Sequence, residues 1–320
     1  MSKLSVIIPY CNEYPMIMAT IRSVHEELKG IDHKIVAVDN YCEEVRAQGR
    51  EPDSCHTHIK DGKEVEGHIQ SMSRITPWLQ YMRFDKMLSH WQAKKFAIDN
   101  TDSPFIMFVD AHCIPSRDGL SSMFRYYEEH YKELDGTTAL PLSYHLIEDR
   151  RLIYKLVFDE TSGQCEYTFT SMPKRSELVF QVPCMSSCGG LLTRDLYNLT
   201  GGFPQRSAYS GGEQFLNFTL AVLGKKVWIY NNGGVLHHHG APRGYSYNWH
   251  GYQVNRAAAA LCFGGEKWLT LYLNRLDLKG VAQNVKDEIY KEAMLLAGEQ
   301  RKTIETKQII TIEEWAKQWK

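Results

Sequence analysis

The clearest indication of the fold is the apolar run Pro104-Phe105-Ile106-Met107-Phe108-Val109, followed at once by Asp110-Ala111-His112-Cys113. A short apolar run that closes on polar residues is typical of a buried strand with a polar carboxyl end. Residues i and i+2 of an extended segment share one face, so Asp110 and His112 can approach the same ion. Carboxylate plus imidazole suits Mn²⁺, Zn²⁺ or Fe²⁺ better than Mg²⁺. The sequence therefore predicts a strand with a metal site at its end, although a turn-capping aspartate beside a structural histidine would give the same pattern.

Two earlier segments repeat this plan. Residues 4–9 form a short β-branched run followed by apolar residues at helical spacing, and residues 34–40 form a second run that closes on Asp39. A helix is predicted at 91–98, just before the strand at 104–109. Alternating strands and helices predict an α/β fold with a mostly parallel central sheet flanked by helices, in which ligands bind at the carboxyl ends of the strands. Asp39 and Asp110 should therefore share one edge of the sheet.

The rest of the chain predicts additions to this unit. Residues 43–85 are polar and rich in charge and histidine, which is typical of an insertion or lid rather than a strand–helix unit. Alternating segments within 137–182 predict antiparallel strands, and the chain from about 285 onward predicts charged helices. We therefore expect a catalytic domain over 1–265 that carries the insertion, and a helical extension over 266–320 that packs on it.

Composition limits the classes of partner. The 320 residues carry 37 Lys and Arg against 38 Asp and Glu, so the formal net charge is -1. No global field attracts nucleic acid or a membrane, although a local basic groove is still allowed. The eight cysteines follow no regular framework, which predicts reduced thiols. No apolar stretch approaches the length of a signal peptide or a membrane span, so we expect a soluble, cytoplasmic protein that makes no contact with membranes.

Histidines cluster at two further places. His237, His238 and His239 follow a predicted strand at 227–230 and a glycine-containing turn. One or two of them could complete an Asp/His/His set with the strand-end residues, but three adjacent histidines cannot all face one ion. The segment Cys55-His56-Thr57-His58 could bind zinc. Its spacing fits no standard zinc pattern, so a solvated loop is the favoured interpretation.

Two pairs of glycines indicate places where another group can come close to the backbone. Glu213 follows Gly211-Gly212 at the start of a predicted helix, where the helix dipole favours an anion and the glycines allow a ligand to come near. Simple capping of that helix by Glu213 is the alternative interpretation. Gly189 and Gly190 lie in a predicted strand, where small residues would make room for something bulky.

In chain order, these motifs resemble those of a nucleotide-sugar glycosyltransferase of the GT-A fold. The opening of the chain is similar to glycosyltransferase family 2, and the later part to the catalytic domain of the polypeptide N-acetylgalactosaminyltransferases. The resemblance covers about residues 4–265, and it lies in the order of the motifs because each motif alone is weak. The matching positions are Pro9-Tyr10-Cys11-Asn12-Glu13, Val38-Asp39-Asn40, Asp110-Ala111-His112-Cys113, Gly211-Gly212-Glu213-Gln214, His237, Arg243-Gly244-Tyr245-Ser246-Tyr247 and Asn255-Arg256-Ala257.

The resemblance implies a role for each matched position. Asp110, His112 and His237 would hold a divalent ion, Mn²⁺ or Mg²⁺, that bridges the phosphates of a UDP-sugar and offsets charge on the departing diphosphate. Glu213 would contact the sugar or the incoming hydroxyl, with Gln214 as the second catalytic position. Asp39 would accept a hydrogen bond from uracil or ribose, and the loop at 243–247 would close over the nucleotide. The donor site would comprise Pro9, Tyr10, Asn12, Glu13, Asp39, Lys95, Asp110, Ala111, Gly189, Gly190, Gly212, Arg243 and Tyr245.

The stereochemistry and the acceptor stay open. Inverting relatives usually place an aspartate after the Gly-Gly-Glu element as general base, whereas this chain has Gln214, so we expect retention unless Glu213 is the base. Aromatic and basic residues alternate over 245–256, a pattern that can stack on sugars or bases. The acceptor could be a hydroxymethylated pyrimidine in DNA, as for a phage-type DNA-modifying enzyme, or a glycan, a protein or a small molecule. A non-catalytic nucleotide-sugar-binding scaffold and a metallohydrolase are the alternatives from other classes.

Overall fold

The structure is a computed structural model of the chain and describes residues 2–143, 151–159, 164–204, 212–238, 245–246 and 248–319. Its strands are β1 (Leu4–Tyr10), β2 (His33–Asp39), β3 (His58–Lys60), β4 (Lys63–Val65), β5 (Leu79–Arg83), β6 (Phe105–Phe108), β7 (Cys113–Pro115), β8 (Thr137–Ala139), β9 (Leu142–Ser143), β10 (Leu152–Asp159), β11 (Gln164–Ser171), β12 (Val179–Val182), β13 (Gly190–Thr193), β14 (Val227–Tyr230) and β15 (Val235–His237). Its helices are α1 (Met16–Glu27), α2 (Glu43–Ala47), α3 (His68–Ile75), α4 (His90–Asp99), α5 (Gly119–His130), α6 (Arg194–Leu199), α7 (Gly212–Val222), α8 (Trp249–Asp277), α9 (Gln283–Ile304) and α10 (Ile312–Lys317).

A central sheet has the strand order β12-β14-β8-β13-β6-β1-β2-β5. The pairs β1–β2, β1–β6, β2–β5 and β8–β14 are parallel, whereas β13 runs antiparallel to both of its neighbours. The predicted α/β class with a mostly parallel sheet is confirmed. Because β1 lies between β2 and β6 and runs parallel to both, Asp39 and Asp110 do come to the same edge.

Helices cover both faces of this sheet, which explains why its central strands are continuous apolar runs. All seven residues of β1 are buried. Val6 and Ile8 join the core under α1, whereas Ile7 joins the core under α4. The period-2 alternation of the strand therefore supplies two separate cores.

The prediction for 43–85 is wrong in part. β5 closes this segment and pairs in parallel with β2, so α3 and β5 form a strand–helix unit of the sheet. Only Leu79 and Met82 of β5 are buried, because the strand lies at the edge. With so few apolar positions, β5 does not stand out as a strand in the sequence. The hairpin β3–β4 is the part that stands apart from the central sheet.

The predicted antiparallel strands within 137–182 are confirmed. β10 pairs antiparallel with β11, and β12 with β14. A second sheet, with the order β11-β10-β9-β15-β7, extends from this region. In it, β7 and β15 are antiparallel partners, and His237 lies opposite Cys113. The second sheet therefore brings the end of β15 to the segment that follows Asp110.

The helical part at the end of the chain begins earlier than expected. α8 runs through the boundary predicted at 265–266, where Gly265 interrupts it with φ 69° and ψ -169°. Residues of α8, α9 and α10 share one core with Phe215 and Phe218 of α7. Among the described residues, no helix is both long and apolar enough to cross a lipid bilayer.

Candidate metal centre and donor pocket

Three predicted metal ligands meet where the two sheets join. Asp110 and His112 lie between β6 and β7, and His237 ends β15. His237 Nε2 is 3.2 Å from His112 Nε2 and 3.7 Å from Asp110 Oδ2. One ligand atom from each of the three residues lies within 4.8 Å of the others. His238 is exposed, and only its backbone N–H reaches the site, donating to the carbonyl of His112 at 3.0 Å.

Glu13 lies behind His112 in a way that suits metal binding. The Nδ1 atom of His112 is 2.6 Å from Glu13 Oε1, which directs the Nε2 atom toward the other two ligands. Metal-binding histidines almost always have such a partner on the second nitrogen, because it fixes the tautomer and the ring orientation. The donor set, and the carboxylate behind it, therefore fit a divalent cation.

A buried lysine that sequence reasoning missed completes the cluster. Lys94 has no exposed surface, and its ammonium lies 3.1 Å from Asp110 Oδ1, 3.2 Å from Ser187 Oγ and 4.6 Å from the centre of the Trp91 ring. Although burial opposes ionisation, the Lys94 charge and two histidines hold the pKa of Asp110 well below its usual range. The signal was present in the sequence, since Lys94 follows Trp91 by three residues on the apolar face of α4.

Lys95, predicted to bind the donor, does not reach this cluster. It bonds to Asp99 at 2.7 Å on the same helix. Neighbouring residues of a helix point about 100° apart, so the lysine beside the buried one faces away. The structure therefore brings Lys94, rather than the predicted Lys95, to Asp110.

Two thiols border the ligands. Cys188 Sγ lies 3.0 Å from Asp110 Oδ2, and Cys113 lies opposite His237 in the ladder. A hydrogen bond from the Cys113 thiol lowers the pKa of Cys188 to about 6, whereas burial raises that of Cys113. Burial opposes protonation of His237, but the charges of Cys188 and Asp110 outweigh it and raise the pKa of His237 to about 10.

Glu213 lies beside the metal ligands without joining them. Its carboxylate accepts hydrogen bonds from the backbone N–H of Ser187 and from the hydroxyl of Tyr154, the latter at 3.2 Å. Its side chain therefore bonds to neighbouring elements and does not merely cap α7. Burial, with the nearby Cys188 charge, raises the pKa of Glu213 to about 7. Gln214, the next residue of α7, is buried.

The predicted glycines are explained by packing within the protein. A Cβ on Gly212 would lie 2.5 Å from the Trp91 ring, and one on Gly190 would lie 2.6 Å from the Ser186 carbonyl oxygen. Gly189 adopts φ +84°, and its Cβ would meet Val235 at 2.8 Å. At Gly189 and Gly190 the bulky neighbours that the small residues admit are groups of the protein itself, and the same holds for Gly212 and the Trp91 ring.

A pocket opens next to the metal ligands, at the carboxyl end of β1. Glu13 belongs to both places, so the pocket and the metal cluster are contiguous. Tyr245 closes one side of the pocket, whereas Arg243 and Gly211 lie outside the described residues. The lining residues are Pro9, Tyr10, Cys11, Glu13, Asn40, Leu88, Ser89, His90 and Tyr245.

Asp39 is not available to a nucleotide. It is fully buried and accepts hydrogen bonds from Tyr41 N–H at 3.0 Å, Thr57 N–H at 3.1 Å and Tyr81 OH at 2.9 Å, with His56 Nδ1 at 2.5 Å. The predicted contact with uracil or ribose is therefore wrong, because the protein's own donors occupy the carboxylate.

The segment 55–58, predicted as a solvated loop, closes over the end of β2. Cys55, His56 and Thr57 are buried. None of these residues, nor His58, belongs to a metal-capable group of three among the described residues. The interpretation as a solvated loop is wrong, because Asp39 holds His56 inside the protein.

Two other predicted donor residues have structural partners. Asn12 holds the 43–85 segment, with its side chain bonded to Glu51 O and Asp53 N at 3.0 and 2.9 Å. Ala111 is buried, and its carbonyl accepts a hydrogen bond from the hydroxyl of Thr20 at 2.9 Å. Neither residue lines the pocket.

Comparison with solved structures identifies the fold. The structure of GalNAc-T7 with UDP, GalNAc and Mn²⁺ superposes with a TM-score of 0.69 at 14% identity over 99% of this chain and 56% of that one. S. aureus TarS 1-349 in complex with UDP-GlcNAc superposes with a TM-score of 0.51 at 12% identity over 96% of this chain and 92% of that one. No protein-family model matches the chain, and no curated protein sequence matches it. The fold is the GT-A fold expected from the sequence, and the chain spans little more than half the length of the GalNAc-T7 chain.

Proposed function

We propose that this chain is a metal-dependent glycosyltransferase that moves a sugar from a UDP-sugar to a hydroxyl acceptor. The observation that carries the proposal is the contiguity of two features in a GT-A fold. Ligand atoms of Asp110, His112 and His237 lie within 4.8 Å of one another, and Glu13, the carboxylate behind His112, also lines the pocket. Solved neighbours bind UDP, GalNAc and Mn²⁺, or UDP-GlcNAc, in their crystals.

The chain's own residues would prepare this site for a nucleotide diphosphate. Asp110, His112 and His237 would hold Mn²⁺ or Mg²⁺, which when bound would offset the charge that builds on the departing diphosphate. Glu13 fixes the ring of His112, and Lys94 fixes the carboxylate of Asp110. Such preorganisation matters because the groups need not reorganise during reaction.

We propose retention of anomeric configuration. The carboxylate of Glu213 is bound by Ser187 and Tyr154, so it is not directed toward an acceptor hydroxyl. An amide, as in Gln214, cannot take a proton from the acceptor. Glu213 instead holds Ser187, whose hydroxyl contacts Lys94. Because Lys94 in turn binds Asp110, these contacts would let Glu213 position a metal ligand.

The test measures UDP release from a panel of UDP-sugars with and without Mn²⁺. Acceptors would be hydroxymethylated DNA, unmodified DNA, simple glycans and peptides. Release stimulated only by hydroxymethylated DNA would identify a DNA-modifying enzyme, and stimulation by a glycan or peptide would identify that acceptor class. No turnover of any nucleotide sugar would contradict the transferase and favour a binding scaffold, whereas hydrolysis of phosphate esters without a sugar nucleotide would favour a metallohydrolase.

Asp110→Asn is the variant that tests the site. Asparagine keeps the shape of the side chain and removes its charge, so Mn²⁺-dependent release should disappear. Alanine is less suitable, because it would also remove the side-chain oxygen that accepts a hydrogen bond from the buried ammonium of Lys94. Asp99→Asn is the matched control, since Asp99 pairs with the outward-facing lysine of the same helix at 2.7 Å. A folded Asp110→Asn protein with normal release would refute the site assignment.

A further inference from the structure

A second set of donors overlaps the metal centre. One ligand atom from each of Cys113, Cys188 and His237 lies within 4.8 Å of the others, and all three side chains are buried. β7 and β15 bring Cys113 and His237 together as cross-strand partners. Cys188 approaches from the segment that precedes β13. Its sulfur lies 3.0 Å from Asp110 Oδ2, which is also 3.7 Å from His237 Nε2.

We propose that Cys113, Cys188 and His237, with Asp110 as the fourth ligand, form a second site for a thiophilic divalent cation such as Zn²⁺, which overlaps the first. Zn²⁺ favours four ligands in tetrahedral arrangement and accepts sulfur, nitrogen and oxygen together. Mn²⁺ prefers oxygen and nitrogen donors and has little affinity for thiolates. The two ions would therefore select different subsets of the same five side chains.

The two sites exclude each other, because both need His237 and Asp110. A cation bound to Cys113 and Cys188 would also occupy His237 and Asp110, which would then no longer be available to an ion on His112. A thiophilic ion would therefore displace Mn²⁺ rather than bind beside it. Binding also releases to solvent whatever protons Cys113, Cys188 and the ligating nitrogen of His237 carry. Bound Zn²⁺ would therefore inhibit any activity of this protein that depends on bound Mn²⁺. A cation could reach the site from solvent at Asp110, since 24% of the Asp110 side chain is exposed.

Co²⁺ is the direct probe, because cobalt bound to thiolate shows a sulfur-to-metal charge-transfer band in the near ultraviolet that cobalt bound only to oxygen and nitrogen lacks. The wild-type protein, kept reduced, should show this band on titration with Co²⁺. Cys188→Ser and Cys113→Ser should each weaken the band, because each variant keeps only one of the two sulfur ligands. Cys262→Ser is the matched control, since Cys262 is also a buried thiol but lies in the core formed by α8 and α9, and it should leave the band unchanged.

Competition for Mn²⁺ is the second measurement. Electron paramagnetic resonance reports Mn²⁺ released to solution, and one equivalent of Zn²⁺ should release it completely from the wild type. In Cys188→Ser, the Zn²⁺ needed should rise by more than about tenfold, because even the loss of an outer-shell partner typically costs about 10–100-fold in metal affinity.

Several outcomes would overturn the proposal. Co²⁺ that fails to bind, or that binds without the charge-transfer band, would show that the thiols are not ligands. Zn²⁺ that binds while Mn²⁺ stays bound would show that the sites are not exclusive. If the serine variants fail to fold, the wild-type spectrum and competition still decide. None of these readouts needs sugar transfer, so a failed transferase assay would leave them intact.

Discussion

Replacing Lys94 by methionine would remove one buried positive charge and leave the rest of its side chain almost unchanged. Lys94 is the cation beside Asp110, and it is completely buried against the rings of Trp91 and Phe108. Methionine preserves most of the stem that packs on those rings. The variant would therefore report the loss of the ion pair rather than the loss of packing.

The expected loss of stability is about 3 kcal/mol. Removing one partner of a buried ion pair typically costs about 3–5 kcal/mol, because the other charge is left unpaired. The low end applies here, since 24% of the Asp110 side chain is exposed and His237 lies 3.7 Å from it. About 3 kcal/mol corresponds to a change of more than roughly a hundredfold in the folding equilibrium.

Urea denaturation in the presence of a chelator measures this loss, as a lower midpoint with an unchanged slope. Lys95→Met is the matched control, one residue away on the same helix and paired with Asp99. It should cost at most about 0.5 kcal/mol, as for other surface pairs four residues apart on a helix. Mn²⁺ should stabilise Lys94→Met more than the wild type, because the ion replaces the missing positive charge. Equal stability of the two variants within about 0.5 kcal/mol would refute the reasoning.

Three further predictions concern the supporting residues. Glu13→Ala should weaken Mn²⁺ affinity by about 10–100-fold in a paramagnetic resonance titration, and unchanged affinity would contradict its role behind the ligand histidine. Because burial raises the pKa of Glu213 from 4.5 to about 7, its contribution to stability is complete below about pH 4.5 and is lost as the pH rises through about 7. Glu213→Gln should therefore reduce the decline in unfolding free energy between about pH 5 and pH 8 by up to about 3 kcal/mol, and an equally steep decline in urea denaturation would count against the buried acid. Gly212→Ala should destabilise the protein by about 1–3 kcal/mol in thermal unfolding, because its Cβ would lie 2.5 Å from the Trp91 ring. Gly298→Ala is the control and should not destabilise the protein, because Gly298 lies on a helix with open space around it. Equal effects of the two substitutions would refute the packing argument.

Much of the candidate metal centre was accessible from the sequence, because the proposed ligands lie at predictable places on strands. Asp110 and His112 follow an apolar run, and His237 ends another short strand. The residue pattern left the choice among the adjacent histidines open and the resemblance favoured His237, which the β7–β15 ladder places opposite Cys113. The role of Glu13 was not accessible, since nothing near it in the chain indicates that it contacts a histidine 99 residues away.

The errors also have a common physical cause. Local patterns report which face of an element is apolar, but they do not report what covers its end. Asp39 was correctly placed at a strand end, yet His56 from the following segment occupies it. β5 was missed because an edge strand buries few residues and so carries a weak pattern.

The α/β alternation, the buried strands that lead to one edge, and the metal-capable pair Asp110 and His112 at a strand end could be read from the sequence alone. These follow from periodicity and strand polarity, which are local properties of the chain. That Lys94 rather than Lys95 reaches Asp110, and that Cys188 lies beside it, follows from the packing of the whole fold. Such contacts join residues far apart in the chain, and their distances depend on how the whole sheet and its helices pack, which no local pattern encodes.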